Sequence, residues 1–246
     1  MELGLSWEMA MFVAGGFAGG LTIGVAGFGA GPVLLAVWLH ILPPAIAAPV
    51  LALCVSVGQV QSFLVVKKAF SWPRFWPFLA GGLLGVPAGA AVLLYVSGDL
   101  LSRMIGGFLV VYAVVFLMTR STAHFKRGGR PADAAAGFGA GVACGAASIP
   151  GPPMNIWCSL RGWSKDVQRA TFQPFNITVV LVGAIIYAWN GLVTANVIWL
   201  ALIAVPAIAA GTRLGIMAYH LFDERQYRQL LLYTLLVSGV TLVWPF

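Results

Sequence analysis

Runs of about 20 apolar residues recur along the whole chain, each long enough as a helix to cross a hydrocarbon layer of about 30 Å. That feature decides most of what the 246 residues can become. Only 9% of them are charged and 60% are apolar, with a mean hydropathy of +0.93. A water-soluble domain covers its surface with roughly a quarter charged residues. The composition therefore excludes a soluble enzyme and predicts an all-α polytopic membrane protein. The start, MELGLSWEMA, carries Glu2 and Glu8 and no basic n-region, which predicts no cleavable signal peptide.

The net charge of +7 would suit nucleic acid in a soluble protein. Between apolar spans it reads instead as the excess of Lys and Arg in cytoplasmic loops, so no nucleic acid partner is expected. Cys54, Cys144 and Cys158 lie in apolar segments without metal-ligand spacing, and His40, His124 and His220 lie apart at segment ends or in loops. They predict neither a metal centre nor a disulfide framework, and no cofactor.

The chain repeats itself. Gly16 to Pro32 reads GFAGGLTIGVAGFGAGP and Gly137 to Pro153 reads GFGAGVACGAASIPGPP, aligning Phe17 with Phe138, Gly20 with Gly141 and Pro32 with Pro153. Three apolar stretches follow each copy. The predicted organisation is a first repeat over 1–120 (hairpin 8–39, helices 44–66, 75–96 and 100–119), a basic cytoplasmic linker over 121–132, and a second repeat over 133–246. The second repeat holds a hairpin at 133–160 and helices at 167–188, 194–218 and 229–245.

Basic clusters at 67–74, 120–130, 161–169 and 225–228 fall on one side of the membrane only if 8–39 and 133–160 are hairpins that enter and return. The turns GFGAGP and SIPGPP suit hairpin tips, because Gly is flexible and Pro lacks a donor N–H. A hairpin plus three crossings is an odd number, so the second repeat should be inverted relative to the first. Both termini should then be external, in the cytoplasmic membrane. Inverted repeats with broken helices are a signature of secondary transporters.

The returning arms present helix N-termini, whose unpaired N–H groups and partial positive charge suit an anion. Gly29, Ala30, Gly31 and Gly151 would let a ligand approach the backbone, and Ser148 and Asn155 would add side-chain donors. Close helix packing is the alternative role for these small residues. After Lys165, Arg169, Gln173 and Asn176 recur on one helical face, which should point inward or to water; Ser56 and Gln59 match in the first half. Arg169 could equally extend to the cytoplasmic interface. All seven carboxylates fall in loops or at expected helix ends, which argues against a buried acid relay.

The two glycine-rich hairpins, with the GVPAGAAVLLYVSGDLLSRMIG stretch at 85–106, resemble the two halves of the sulfite exporter TauE/SafE family. The resemblance covers essentially the whole chain. It implies a cytoplasmic-membrane transporter that exports sulfite, sulfonates or related sulfur-containing organic anions, with the small anion and the lipid bilayer as its partners. The tips at 27–32 and 148–153 match the family's repeated motif, with Pro150 standing where the first copy has Gly29. An anion channel is the nearest rival reading. An intramembrane enzyme is a remoter one, since no nucleophile, base and acid come together by sequence.

Overall fold

A computed structural model describes residues 6–38, 40–92, 98–119, 129–147 and 150–244. They form ten α-helices and, among the described residues, no strand: α1 (Ser6–Ala26), α2 (Ala30–Trp38), α3 (Pro44–Val66), α4 (Trp72–Val92), α5 (Gly98–Thr119), α6 (Gly129–Ala147), α7 (Gly151–Leu160), α8 (Lys165–Trp189), α9 (Ala195–Leu221) and α10 (Glu224–Val243). A single 3-10 turn spans Lys67–Ala69. Among the described residues four helices are long and apolar enough to cross a membrane, in α1, α3, α8 and α9. The chain is an all-helical membrane protein.

Several helices begin earlier than their apolar pattern, because polar residues build their first turns. α10 starts at Glu224, not at 229: Asp223 accepts from the Gln226 backbone at 2.7 Å while the Gln226 side chain accepts from the Asp223 N–H, a complete capping box. α8 starts at Lys165, where the Glu224 carboxylate accepts from the Lys165 N–H at 2.9 Å. α6 starts at Gly129 and so takes in residues 129–132 of the expected linker, with Pro131 in its first turn, where a missing N–H costs nothing. The rest of that linker, the end of the 75–96 helix and Ser148 lie outside the described residues.

The fold divides into two compact units that cut across the sequence repeats. Unit 1 holds residues 1–62 and 180–221, and unit 2 holds 63–179 and 222–246. In unit 1 the first hairpin, α1–α2, packs with α3 and α9. Trp38 stacks on Phe12 at 4.6 Å and donates its Nε1–H to the Phe12 carbonyl at 3.0 Å, which ties the end of α2 to the start of α1. Ile23, Leu34, Val50, Cys54, Ala204 and Ile208 fill the core between them.

Unit 2 is built the same way from exchanged parts: the second hairpin, α6–α7, packs with the start of α8 and with α4, while α5 pairs with α10. The two long helix pairs share one register. A methyl group on Gly20 would strike the Ile208 carbonyl of α9, and one on the matching Gly141 would strike the Gly82 carbonyl of α4. Gly211 faces the Phe17 carbonyl and Gly85 the Phe138 carbonyl; Gly215 faces Leu21 and Gly89 faces Val142. Small residues let these backbones touch, which is how helices associate where no water drives them together. The glycines aligned in the sequence are thus first of all packing joints between α1 and α9 and between α6 and α4.

Candidate functional site

The tip in unit 1 is a break of three residues. α1 ends at Ala26, the Gly27 N–H bonds back to the Ile23 carbonyl at 2.8 Å, and Gly27 and Gly29 both take φ of 85°. That left-handed region is open to glycine and strained for other residues. Phe28, between them, is buried and anchors the turn. α2 then starts at Ala30, with Pro32 in its first turn.

Gln59 of α3 reaches this break. Its Nε2–H donates to the Gly27 carbonyl at 3.2 Å, while its Oε1 is buried without a hydrogen-bond partner. Ser56 is engaged by its own helix, donating to the Ala52 carbonyl at 2.9 Å, so its single proton is directed away from a ligand. Gly31 sits in the first turn of α2, and a Cβ there would meet nothing within 4 Å. Thr212 of α9, which sequence reasoning passed over, is fully buried beside Gly58, and its hydroxyl has no hydrogen-bond partner. A single Thr in an apolar helix gives almost no signal by itself.

In unit 2 Pro150 holds the N-cap position of α7, with no side-chain cap, and Pro152 and Pro153 follow in the first turn. Asn155 is buried and donates to the Gly151 carbonyl at 2.9 Å, its Oδ1 remaining without a partner. On α8 the polar face is buried as a whole: Arg169 is 1% exposed, Gln173 0% and Asn176 3%, and the Asn176 Oδ1 has no hydrogen-bond partner. Arg169 therefore does not reach water; its charge acts on Tyr227 of α10, which is equally buried. Gln168, one residue before it, donates to the Trp163 carbonyl at 2.7 Å. Arg213 of α9 is exposed.

Asp133 and Arg169 are the charged side chains buried among the described residues. Sequence reasoning put Asp133 at a helix end, but the early start of α6 brings it inside. There its carboxylate accepts from Trp157 Nε1 at 2.8 Å and pairs with Arg161 at 3.4 Å, joining the start of α6 to the end of α7. Next to it the guanidinium groups of Arg74 and Arg161 lie over the Trp163 ring, at 5.2 and 5.6 Å from its centre. These groups close the open end of the second hairpin, away from its tip.

Each unit thus offers a helix start at a Gly/Pro break and, on the following helix, a buried amide whose oxygen lacks a partner, Gln59 in unit 1 and Asn176 in unit 2. A buried amide oxygen without a partner costs free energy unless a ligand or water satisfies it. Such sites are suited to hold a small polar ion. Among the described residues no group of three His, Cys, Asp or Glu could hold a metal.

Known proteins are similar to this chain over most of its length. A protein of Cupriavidus necator described as a probable sulfite/organosulfonate exporter, TauE, is 26% identical over 227 residues, which is 90% of this chain and 88% of that protein. No solved structure matches the chain. The sequence profile of the sulfite exporter TauE/SafE family matches residues 11–242, from within α1 to within α10, so the chain belongs to that family of membrane transporters and is not an enzyme.

Proposed function

We propose that the protein exports sulfite or a small organosulfonate across the cytoplasmic membrane by alternating access, using the two hairpin tips. The family and the name of the C. necator relative supply the substrate class. The carrying observation is the pairing, in each unit, of a broken-helix start with buried amides on the next helix. The returning arms α2 and α7 have 9 and 10 residues, so each covers about 14–15 Å at 1.5 Å per residue, too short to cross a 30 Å layer alone. That length, the placing of every basic cluster on one side that two hairpins would allow, and the odd number of elements support two inverted repeats with external termini.

The two tips are not equal donors. The first turn of α2 carries backbone N–H groups at Ala30, Gly31 and Val33, and Gly29 adds another at the break. In α7 only Gly151 and Met154 can donate in that turn, because Pro152 and Pro153 have no N–H, and Pro150 adds none. The first tip is therefore the richer in backbone donors, while the second unit has Arg169, Gln173, Asn176 and Asn155 as its own polar groups. Export needs no coupling ion: an anion leaving an inside-negative cell gains about 2.3 kcal/mol per charge per 100 mV. Asp133, held by Arg161 and Trp157, is not placed as a proton relay.

Proteoliposome counterflow tests the reading. Sulfite uptake should saturate, be inhibited by a sulfonate such as taurine, and accelerate when sulfite is loaded on the far side. A non-saturating conductance without exchange would make the protein a channel, and no flux of sulfite or sulfonates would remove the substrate class.

A further inference from the structure

A cavity of about 310 Å³ opens on unit 2 between the starts of α4 and α6, lined by Trp72, Pro73, Trp76, Pro77 and Arg130. It has no part in the tip: α6 runs 19 residues from this cavity to the second break, about 28 Å at 1.5 Å per residue. Its two indoles are unusual for helix starts, being 56% and 54% exposed, with ring centres 6.1 Å apart. Exposed tryptophan at the ends of membrane helices sits at headgroup level, where an apolar ring and a polar N–H both find partners.

Arg130 is the only charged residue in the lining among the described residues. The nearest carboxylate along α6, Asp133, is turned into the unit and held by Arg161 and Trp157, so it does not neutralise Arg130. Lys67 and Lys68, just before α4, are exposed and add to the positive field. Farther along α4, Leu83 and Leu84 are exposed, Leu84 to 71%, and continue an apolar track from the aromatic end of the helix.

We infer that this cavity binds the phosphate headgroup of an anionic phospholipid. The Arg130 guanidinium takes the phosphate in its bidentate geometry, Trp72 and Trp76 cover the glycerol region, and an acyl chain runs down the leucines of α4. The volume lies at the small end of the usual range for small-molecule sites, about 300–1,000 Å³, which suits a headgroup and excludes the chains. A soluble phosphate would need the guanidinium but not the exposed indoles and leucines beside it. The inference rests on the chain being a membrane protein and is independent of how the tips bind anions.

The test uses the full-length protein purified in a neutral detergent, with lipid binding followed by native mass spectrometry and thermal unfolding. Phosphatidylglycerol should bind and raise the unfolding temperature, while phosphatidylcholine and soluble glycerol 1-phosphate should do neither. Arg130→Gln and Trp76→Ala together should weaken phosphatidylglycerol binding tenfold or more. Arg130→Lys, which keeps the charge but loses the fork, should fall between. If the double variant folds poorly, Arg130→Gln alone, on an exposed side chain, gives the same readout. Equal binding of phosphatidylcholine, undiminished binding in Arg130→Gln, or full stabilisation by glycerol 1-phosphate would each overturn the lipid site. Loss of sulfite transport with this lipid response intact would instead strike the proposed function.

Discussion

Gly31 gives the sharpest test of the tip as a binding site, because there packing and binding predict opposite results. It lies in the first turn of α2 without positive φ, and an added Cβ meets nothing within 4 Å. Replacing glycine by alanine in a helix stabilises by about 0.5–1 kcal/mol through backbone entropy. Gly31→Ala should therefore fold and insert at least as well as wild type, and Gly31→Val nearly so. If an anion approaches the N–H groups of this turn, the same side chains occupy its path. Losing one hydrogen bond to a charged ligand costs about 1.5–3 kcal/mol, tenfold or more in affinity. Gly29→Ala is the contrasting case: its φ of 85° makes a side chain cost roughly 1–2 kcal/mol of stability whatever the tip binds. The assay is sulfite counterflow in proteoliposomes beside thermal unfolding in detergent. The expected pattern is undiminished stability with transport falling from Gly31→Ala to Gly31→Val. Normal transport by Gly31→Val would refute the backbone cradle.

Four further outcomes follow from the same geometry. Gln173→Leu and Asn176→Leu keep the volume of two buried side chains but remove their amides, and each should lower transport tenfold or more with membrane expression kept, as counterflow reads directly. Gly141→Val should block insertion or folding because its side chain meets the Gly82 backbone, whereas Gly139→Val on the same helix meets nothing within 4 Å and should be tolerated; detergent size-exclusion profiles separate the two. Asp133→Ala should cost about 3 kcal/mol, the low end for breaking a buried pair, and Asp133→Asn less, since its amide oxygen can still accept from Trp157; denaturation in detergent checks the order. In a background without the three cysteines, an impermeant maleimide should label Asn190→Cys on intact cells and Lys68→Cys only after permeabilisation; the reverse pattern would refute the proposed orientation.

The helical architecture was legible because the apolar runs are long and Gly and Pro punctuate them: α3 occupies the 44–66 stretch that the sequence marks. What hydropathy misses are polar first turns. The Asp223–Gln226 capping box and the 129–132 start of α6 look like loop to an apolar window, although the first is a local capping signal and the second carries Pro131 in a first turn. Burial of Gln173 and Asn176 was readable from their spacing and from the cost of exposing them to lipid, whereas for Arg169 the sequence left burial and the cytoplasmic interface equally open. The depth of Asp133 was not, because its partners Trp157 and Arg161 lie more than twenty residues away in the chain. Nor does the sequence say which glycines shape a turn and which join helices. Only Gly27 and Gly29 at the first tip need positive φ, while Gly20, Gly24 and Gly141 serve close approach.

The two units repeat one backbone plan, yet the side chains divide its work. The register of α1 on α9 reappears in α6 on α4 glycine by glycine, so both hairpins are held by equivalent joints. Chemistry then departs from the shared plan at the tips and on the helix that follows each. Where α2 begins with Gly29, Ala30 and Gly31, α7 begins with Pro150, Gly151, Pro152 and Pro153, exchanging backbone donors for a fixed chain direction. Where α8 carries Arg169 four residues before Gln173, α3 has Ala52 four residues before Ser56. One unit thus keeps the backbone N–H groups and the other keeps the buried positive charge. A desolvated anion is held by hydrogen-bond donors or by opposite charge, so the two units, alike in backbone, would each engage an anion by different means.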